Sequence, residues 1–304
     1  MLSNYKVTEI FFIIDEFDKN FEKIVSDNSL MQDTTLKQRN RKTTLSDSEV
    51  MTILILFHSS HYRDLKHYYI NPVKNHMKKE FPQTVSYNRF VELQKKVVVK
   101  LAILLKMYCL EKCNGISYID STAIRVCHIK REKQHKVFKG LVQKGQCSFG
   151  WFFGFKLHLI INDEGEILDF IITPGNVDGR KPLSDMNLHK RIFGKLFGDK
   201  GYISKDLFEQ LFVDGIHLIS KIKKNMKNSL MLLQDKIVLK KRALIETVND
   251  ELKNICQVEH IRYRSFDNFT TNLLSELISY SFFDKKPSIN LHKDIVDVKR
   301  LAPA

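Results

Sequence analysis

Three acidic residues, Asp120, Asp199 and Glu246, stand in surroundings that suit chemistry on phosphate. Asp120 closes the run Ile116-Ser-Tyr-Ile-Asp120, and Asp199 closes Lys195-Leu-Phe-Gly-Asp199; both runs have the composition of short strands. Carboxylates at the carboxyl ends of strands project into the crevice where α/β folds place their sites. Asp also opens turns for purely conformational reasons, so neither aspartate decides anything alone. Glu246 adds the third acid. Around it Ile245, Val248, Leu252 and Ile255 form an apolar helical stripe, while Arg242, Glu246, Asn249 and Lys253 share a different face. A solvated helix face has a similar make-up. A helix facing phosphate needs it: an acid to hold a metal ion, and cations for the DNA backbone. Hard carboxylate oxygens suit Mg²⁺, with Mn²⁺ as a substitute. Two such ions about 3.5–4 Å apart activate the attacking oxygen and stabilise the leaving one in an in-line displacement at phosphorus.

The elements that must position these acids are legible from periodicity. Ile10, Ile14, Phe17, Phe21 and Ile24 recur at helical spacing, and a basic connector, Lys37 to Lys42, follows. Ser46 and Glu49 form a capping box that opens a helix through Val50, Ile53, Leu54 and Phe57. Ser86 caps a longer helix running to about Leu110. From Gly115 the grammar changes to strands. Phe155–Ile161 and Ile167–Thr173 form a hairpin across Asn162-Asp-Glu-Gly165, followed by a helix over Pro182–Phe193. Asp199 ends the next strand, Ser204 caps a helix to Phe212, and Ile216–Ile219 is a strand. Helical spacing returns over Val238–Ile255 and Asn268–Phe283. The expected class is α/β with a mixed sheet, preceded by an all-helical N-terminal region. The expected divisions are 1–112 (helical, DNA-binding, helix-turn-helix-like), 113–284 (catalytic) and 285–304 (a basic tail).

Composition narrows the class. The 304 residues carry 49 Lys plus Arg against 35 Asp plus Glu, a net charge of +14. Such a surplus attracts polyanions, nucleic acid above all, in a salt-sensitive way. Five scattered cysteines without a Cys-x-x-Cys pair suit a reduced, cytoplasmic protein. The most apolar stretch, Val97 to Leu110, is interrupted by Lys100 and Lys106 and is too short to span a bilayer.

With these residues in view the chain resembles bacterial insertion-sequence transposases of the DDE type, and within them the insertion-sequence 982 family. The resemblance is carried by Tyr-Ile-Asp120-Ser-Thr, Gly-Phe-Lys156-Leu-His158, Thr-Pro-Gly-Asn176-Val-Asp178, Gly198-Asp199-Lys-Gly-Tyr202 and the Arg242-x₃-Glu246-x₆-Lys253 helix. It implies an RNase H-like core, two divalent metals held by Asp120, Asp199 and Glu246, and action on terminal inverted repeats of an element. It also implies that Arg242 and Lys253 touch the DNA backbone, and that a homodimer assembles on double-stranded DNA. The sequence departs from the pattern at Leu239, where related transposases carry Tyr.

Further candidates follow from position. Lys156 and His158 share one strand face, expected to look toward DNA, and Asp178 is a supporting acid or a loop cap. Trp151 is expected in an aromatic core, with base stacking as the alternative. Asn88 and Arg89 open the helix after Ser86, where recognition helices present side chains to base edges. His128-Ile-Lys-Arg131 matches an element of tyrosine recombinases, but the next tyrosine, Tyr202, lies in a strand-end motif. The competing readings are a transposase-derived DNA-binding protein without activity and a metal-dependent nuclease that does not join strands.

Overall fold

The computed structural model describes residues 4–28, 43–221, 231–259 and 263–289. In chain order the elements are α1 (Asn4–Asn28), α2 (Asp47–Ser59), α3 (Leu65–Tyr68), α4 (Tyr87–Gln94), α5 (Val98–Leu104), β1 (Ile116–Cys127), β2 (Gln143–Cys147) and β3 (Gly150–Asn162). They continue with β4 (Ile167–Pro174), α6 (Lys181–Ser184), β5 (Gly194–Gly198), α7 (Lys205–Val213), β6 (Ile216–Ser220), α8 (Leu233–Lys240), α9 (Ala243–Asn254) and α10 (Phe266–Ser281). The chain forms two units: Met1–Cys109 with Asn254–Phe282, and Leu110–Lys253 with Phe283–Ala304. The basic connector at 37–42 and most of the basic tail lie outside the described residues.

In the first unit, α1 buries Val7, Ile10, Ile14 and Phe17, while Ile24, expected on the same stripe, is exposed. The capping box at α2 forms as its sequence predicts: Glu49 N–H donates to Ser46 Oγ at 3.1 Å, and Ser46 N–H donates to Glu49 Oε2 at 2.7 Å. The helix expected from Ser86 to Leu110 is interrupted by a tighter 3₁₀ turn at Lys95–Val97 and ends in a wider π turn at Leu105–Cys109. Asp18, Glu22 and Asp47 converge on the buried ammonium of Lys100 at 2.5–2.7 Å. That lysine takes the position a metal ion would need.

Helix α10 corrects the expected division at 113–284, because it packs within this helical unit against α2 and α5. It has almost no solvated side: Leu273, Leu274, Leu277, Ile278 and Tyr280 are buried, and so are Thr271, Ser275 and Ser279. The Thr271 and Ser275 hydroxyls donate to carbonyls four residues back in their own helix, so their burial leaves no polar orphan there. A helix buried all round must be enclosed by neighbours, and here they are helices from far up the chain.

The second unit is a mixed sheet in the order β2-β3-β1-β5-β6, with β4 also on β3. β3 runs antiparallel to β1, β2 and β4, while β1, β5 and β6 are mutually parallel. An antiparallel set joined through its first strand to two parallel ones is the RNase H-like arrangement expected. The β3–β4 turn has Gly165 at φ +73°, the left-handed conformation glycine adopts freely. Ile119, Ile160, Leu183, Leu196, Leu207 and Leu211 share one apolar core, which places α6 and α7 on that side of the sheet. α8 contacts β5 and β6, and Lys195 ties it to β5 through Asp235 at 2.5 Å.

Three local expectations change. β1 does not stop at Asp120 but continues to Cys127, because Thr122, Ile124 and Val126 extend the buried alternation against β3. The helix expected over Pro182–Phe193 ends at Ser184; Asn187 sits at φ +58°, outside the right-handed helix. The helix expected over Val238–Ile255 is two, α8 and α9, separated at Lys241 and Arg242. No helix among the described residues is long and apolar enough to cross a membrane.

Candidate active site

Strand pairing brings the two aspartates side by side. The parallel ladder between β1 and β5 ends at Tyr118 opposite Phe197, and Asp120 and Asp199 each lie two residues further along. Alternation puts both on the face of Tyr118 and Phe197, whose ring centroids are 5.6 Å apart, opposite the face that carries Ile119. On that face α9 approaches, and Asn249 Nδ2 donates to Asp120 Oδ2 at 3.3 Å. Asp199 caps the short 3₁₀ turn Lys200–Tyr202 by accepting the Gly201 N–H at 2.7 Å. A Cβ at Gly201 would stand 2.9 Å from Asp199 Oδ1, so glycine allows the carboxylate to fold down onto the turn. Glu246 is bound by Arg242 one helical turn earlier.

All three acids line one cavity of about 770 Å³, together with Asn249, Asp250, Asp178, Lys156, Arg242 and Lys253. Five carboxylates therefore face three cationic side chains in a chain whose net charge is +14. Burial raises the Asp120 carboxyl to about 6; the Ser121 backbone N–H and Arg242 oppose the shift, and the Asp199 and Glu246 charges add to it. The acids are nonetheless spread. Among the described residues the only set of three or more acids whose oxygens all lie within 4.8 Å of one another is Asp18, Glu22 and Asp47.

Residues 110–266 match the family described as Transposase DDE domain. This span is more than half of the chain. The chain belongs to the DDE transposase family. No curated protein matches it. Among solved structures, a piggyBac transposase synaptic complex with hairpin DNA aligns at 11% identity and a TM-score of 0.46, covering 84% of this chain and 68% of that one. A Mos1 transposase paired-end complex with left transposon end aligns at 15% identity and 0.23, covering 66% and 65%. A pre-cleavage Mos1 transpososome aligns at 12% and 0.27, covering 92% and 96%. These are distant likenesses.

The other candidate residues of this DDE domain divide. Lys156 lines the cavity and donates from Nζ to the Val177 carbonyl at 3.0 Å. His158 does not look outward: it is 0% exposed, and its Nε2 lies 2.9 Å from Thr173 Oγ1. Everything in β3 from Leu157 to Asn162 is buried, so both faces of the strand are covered there and alternation no longer separates inside from outside. Asp178 both lines the cavity and caps its loop. It accepts the Arg180 backbone N–H at 2.9 Å and a two-pronged guanidinium contact at 2.9 and 2.6 Å. The Arg180 contact holds its carboxyl down at about 2.

Trp151 is corrected in the opposite sense, being 59% exposed with Lys144 Nζ 5.1 Å from its ring centre. Leu239 is buried in α8. Sequence reasoning missed Asp250, Tyr202 and the hairpin tip Gln146–Phe149 as cavity residues. Asp250 was findable, since it lies one helical turn after Glu246. Tyr202 is buried, and burial, then the Asp120 and Asp199 charges, push its phenol far up, which disarms it as a nucleophile. In the helical unit, Arg89 pairs with Glu92 at 2.7 Å, and Asn88 lines a separate cavity.

Proposed function

We propose that the chain cuts and joins DNA strands at the inverted-repeat ends of an insertion sequence, as its resemblance to the insertion-sequence 982 family implies. The observation that carries this reading is the shared cavity. Two aspartates on neighbouring parallel strands and a glutamate on α9 face one space that also holds Lys156, Arg242 and Lys253. Five carboxylates outnumber the three cations that line the cavity, and even with Asp178 paired to Arg180 a phosphodiester is better accommodated once further positive charge enters. Hard oxygen donors in a net-negative pocket suit Mg²⁺ or Mn²⁺, and acids spread wider than one ion's shell suit two ions. Held by Asp120, Asp199 and Glu246, such ions would supply charge to the attacking and leaving oxygens.

The chain's own groups do the rest. Asn249 fixes the orientation of Asp120 through its amide. Gly201 and the turn behind it fix Asp199. Lys156, Arg242 and Lys253 draw in the scissile phosphate, and the Asp178–Arg180 pair stiffens the loop beside them. The N-terminal helices hold the element end, with Asn88 and Arg89 among their contacts, and two copies pair on DNA because joining needs two ends.

Asp120→Ala should abolish both cutting and joining of labelled end DNA in Mg²⁺ while end binding persists. A variant that cuts or joins at near the wild-type rate would remove the acids from the chemistry. Cutting without joining by the wild-type chain would make it a nuclease instead.

A further inference from the structure

We propose, resting on the proposed cutting of DNA, that the β2–β3 hairpin is a wedge for its substrate. Phe149 at the hairpin tip stacks on the base beside the scissile phosphate, and that base must leave its pair to be reached. Ser148 and Phe149 form the turn between Cys147 and Gly150, the last pair of the β2–β3 ladder. Such a turn favours polar residues or glycine, and Gly150 at φ +103° supplies the left-handed angle, so the backbone has no need of a phenyl ring at 149. Nor does the core, since Phe149 is 85% exposed.

A single exposed apolar side chain is ordinary on a protein surface. Phe149 differs in its place, because it lines the same cavity as Asp120, Asp199, Glu246 and Lys156. Exposed Trp151 stands two residues on, with Lys144 over its ring, so the hairpin presents two aromatic side chains beside the acids. Its root is fixed by packing. Phe152 turns inward and is buried. A Cβ at Gly145 would fall 2.0 Å from the Gly175 carbonyl oxygen, and one at Gly175 would fall 2.7 Å from that of Gln143. β2 therefore lies backbone to backbone against the segment that leads from Gly175 to Asp178, itself a cavity residue. The ring is held at the cavity by the sheet and by the cavity's own wall.

The side-chain chemistry names the occupant. A phenyl ring has no hydrogen bond to give or accept, so it reads no base edge and offers only a flat face. Inside a duplex both faces of each base are covered by its neighbours. An aromatic side chain gains a face only where a step is opened, and apolar side chains open steps by wedging into them. Stacking on an aromatic ring tolerates every base. The requirement is therefore for an unpaired nucleotide beside the cut, whatever its identity. The strand's phosphates meet cations on the segment that feeds β2, where Lys130, Arg131, Lys133, Lys136 and Lys139 are exposed and Glu132 is the one acid between residues 128 and 144.

Trp151 is the chain's single tryptophan, so its fluorescence reports on this hairpin alone. The full chain in Ca²⁺ is titrated with single-stranded oligothymidylate and with a paired dA·dT duplex of equal length. The single strand should quench Trp151 and bind Phe149→Ala about tenfold more weakly than the wild type, while Phe149→Tyr, which keeps the ring, binds as the wild type does. The duplex should bind all three proteins alike. No quenching, an unaltered Phe149→Ala, or an equal loss in Phe149→Tyr would each overturn the wedge. A second arm uses labelled end DNA in Mg²⁺. Phe149→Ala should cut the paired end about tenfold more slowly, and an abasic nucleotide on one side of the cut should make the two proteins equal, because the contact then has no base to lose. A difference that persists with the abasic nucleotide on either side would overturn the contact. If the wild type cuts and joins while Phe149→Ala matches it in both arms, the wedge fails and the proposed function stands. If the wild type cuts no end DNA although the single strand still depends on Phe149, the proposed function fails and takes the scissile step with it, leaving a surface for unpaired bases.

Discussion

Burial on both faces of β3 changes what a histidine there can do. His158 is pushed down to about 4 from its ordinary 6.5, first by burial and then by the charge of Lys156. The folded protein therefore keeps His158 neutral where the unfolded chain begins to protonate it. This contribution to stability is fully present above pH 6.5 and is lost as pH falls toward about 4. At about pH 5 the loss amounts to about 2 kcal/mol. Urea unfolding at neutral pH and at about pH 5 should show His158→Gln losing less stability than the wild type, by about that amount. Equal losses would mean that His158 reaches solvent. The sequence put Lys156 and His158 on one face correctly, since strand alternation is geometric. It gave no sign of what covers that face. The acids were legible unevenly: Asp199 does follow the end of its strand and Glu246 lies on the polar side of its helical stripe, whereas Asp120 lies within β1, not at its end.

At the scale of elements, the pairing of β1 with β3 carries Asp120, and that pairing depends on one close approach. A Cβ at Gly154 would fall 2.0 Å from the Ile124 carbonyl oxygen, where β1 bulges between Arg125 and Cys127. Backbone cannot retreat as a flexible side chain can. Gly154→Ala should therefore lower stability by about 1–3 kcal/mol, read as a lower thermal midpoint, and reduce strand cutting as β1 shifts. An unchanged midpoint would mean that β1 and β3 do not meet there. Neither the bulge nor β2 was foreseeable: Gln143-Lys-Gly-Gln-Cys147 has no β-branched residue, and its strand is imposed by β3. The capping box at Ser46 and the hairpin turn at Gly165 were foreseeable, because each is fixed by a few adjacent residues. The short α6 was not: it stops at Ser184, and the chain turns through a left-handed Asn187 three residues later.

At the scale of the whole molecule, charge and chain connectivity work against local reading. The chain leaves the helical unit at Cys109 and returns to it at Asn254, so the last helix looked catalytic by position alone. Net charge told of a polyanion partner, yet the acidic cavity runs against that sign. The contrast yields a conditional prediction for Arg242. In the structure its guanidinium is paired with Glu246, so without metal it has little charge to offer a phosphate. If Glu246 turns to a metal ion, Arg242 is released to the DNA. The salt slope of end-DNA binding should then differ between wild type and Arg242→Ala only when a hard cation is present. In Ca²⁺, which suits the same oxygens, the variant's slope should be shallower by about one; in EDTA the two should coincide. A shallower slope in EDTA would show Arg242 reaching DNA past its carboxylate, and an equal slope in Ca²⁺ would take it off the DNA surface. Only the conditional result ties the acid, the cation and the polyanion into one device, because each of the three must be in place for the slope to move.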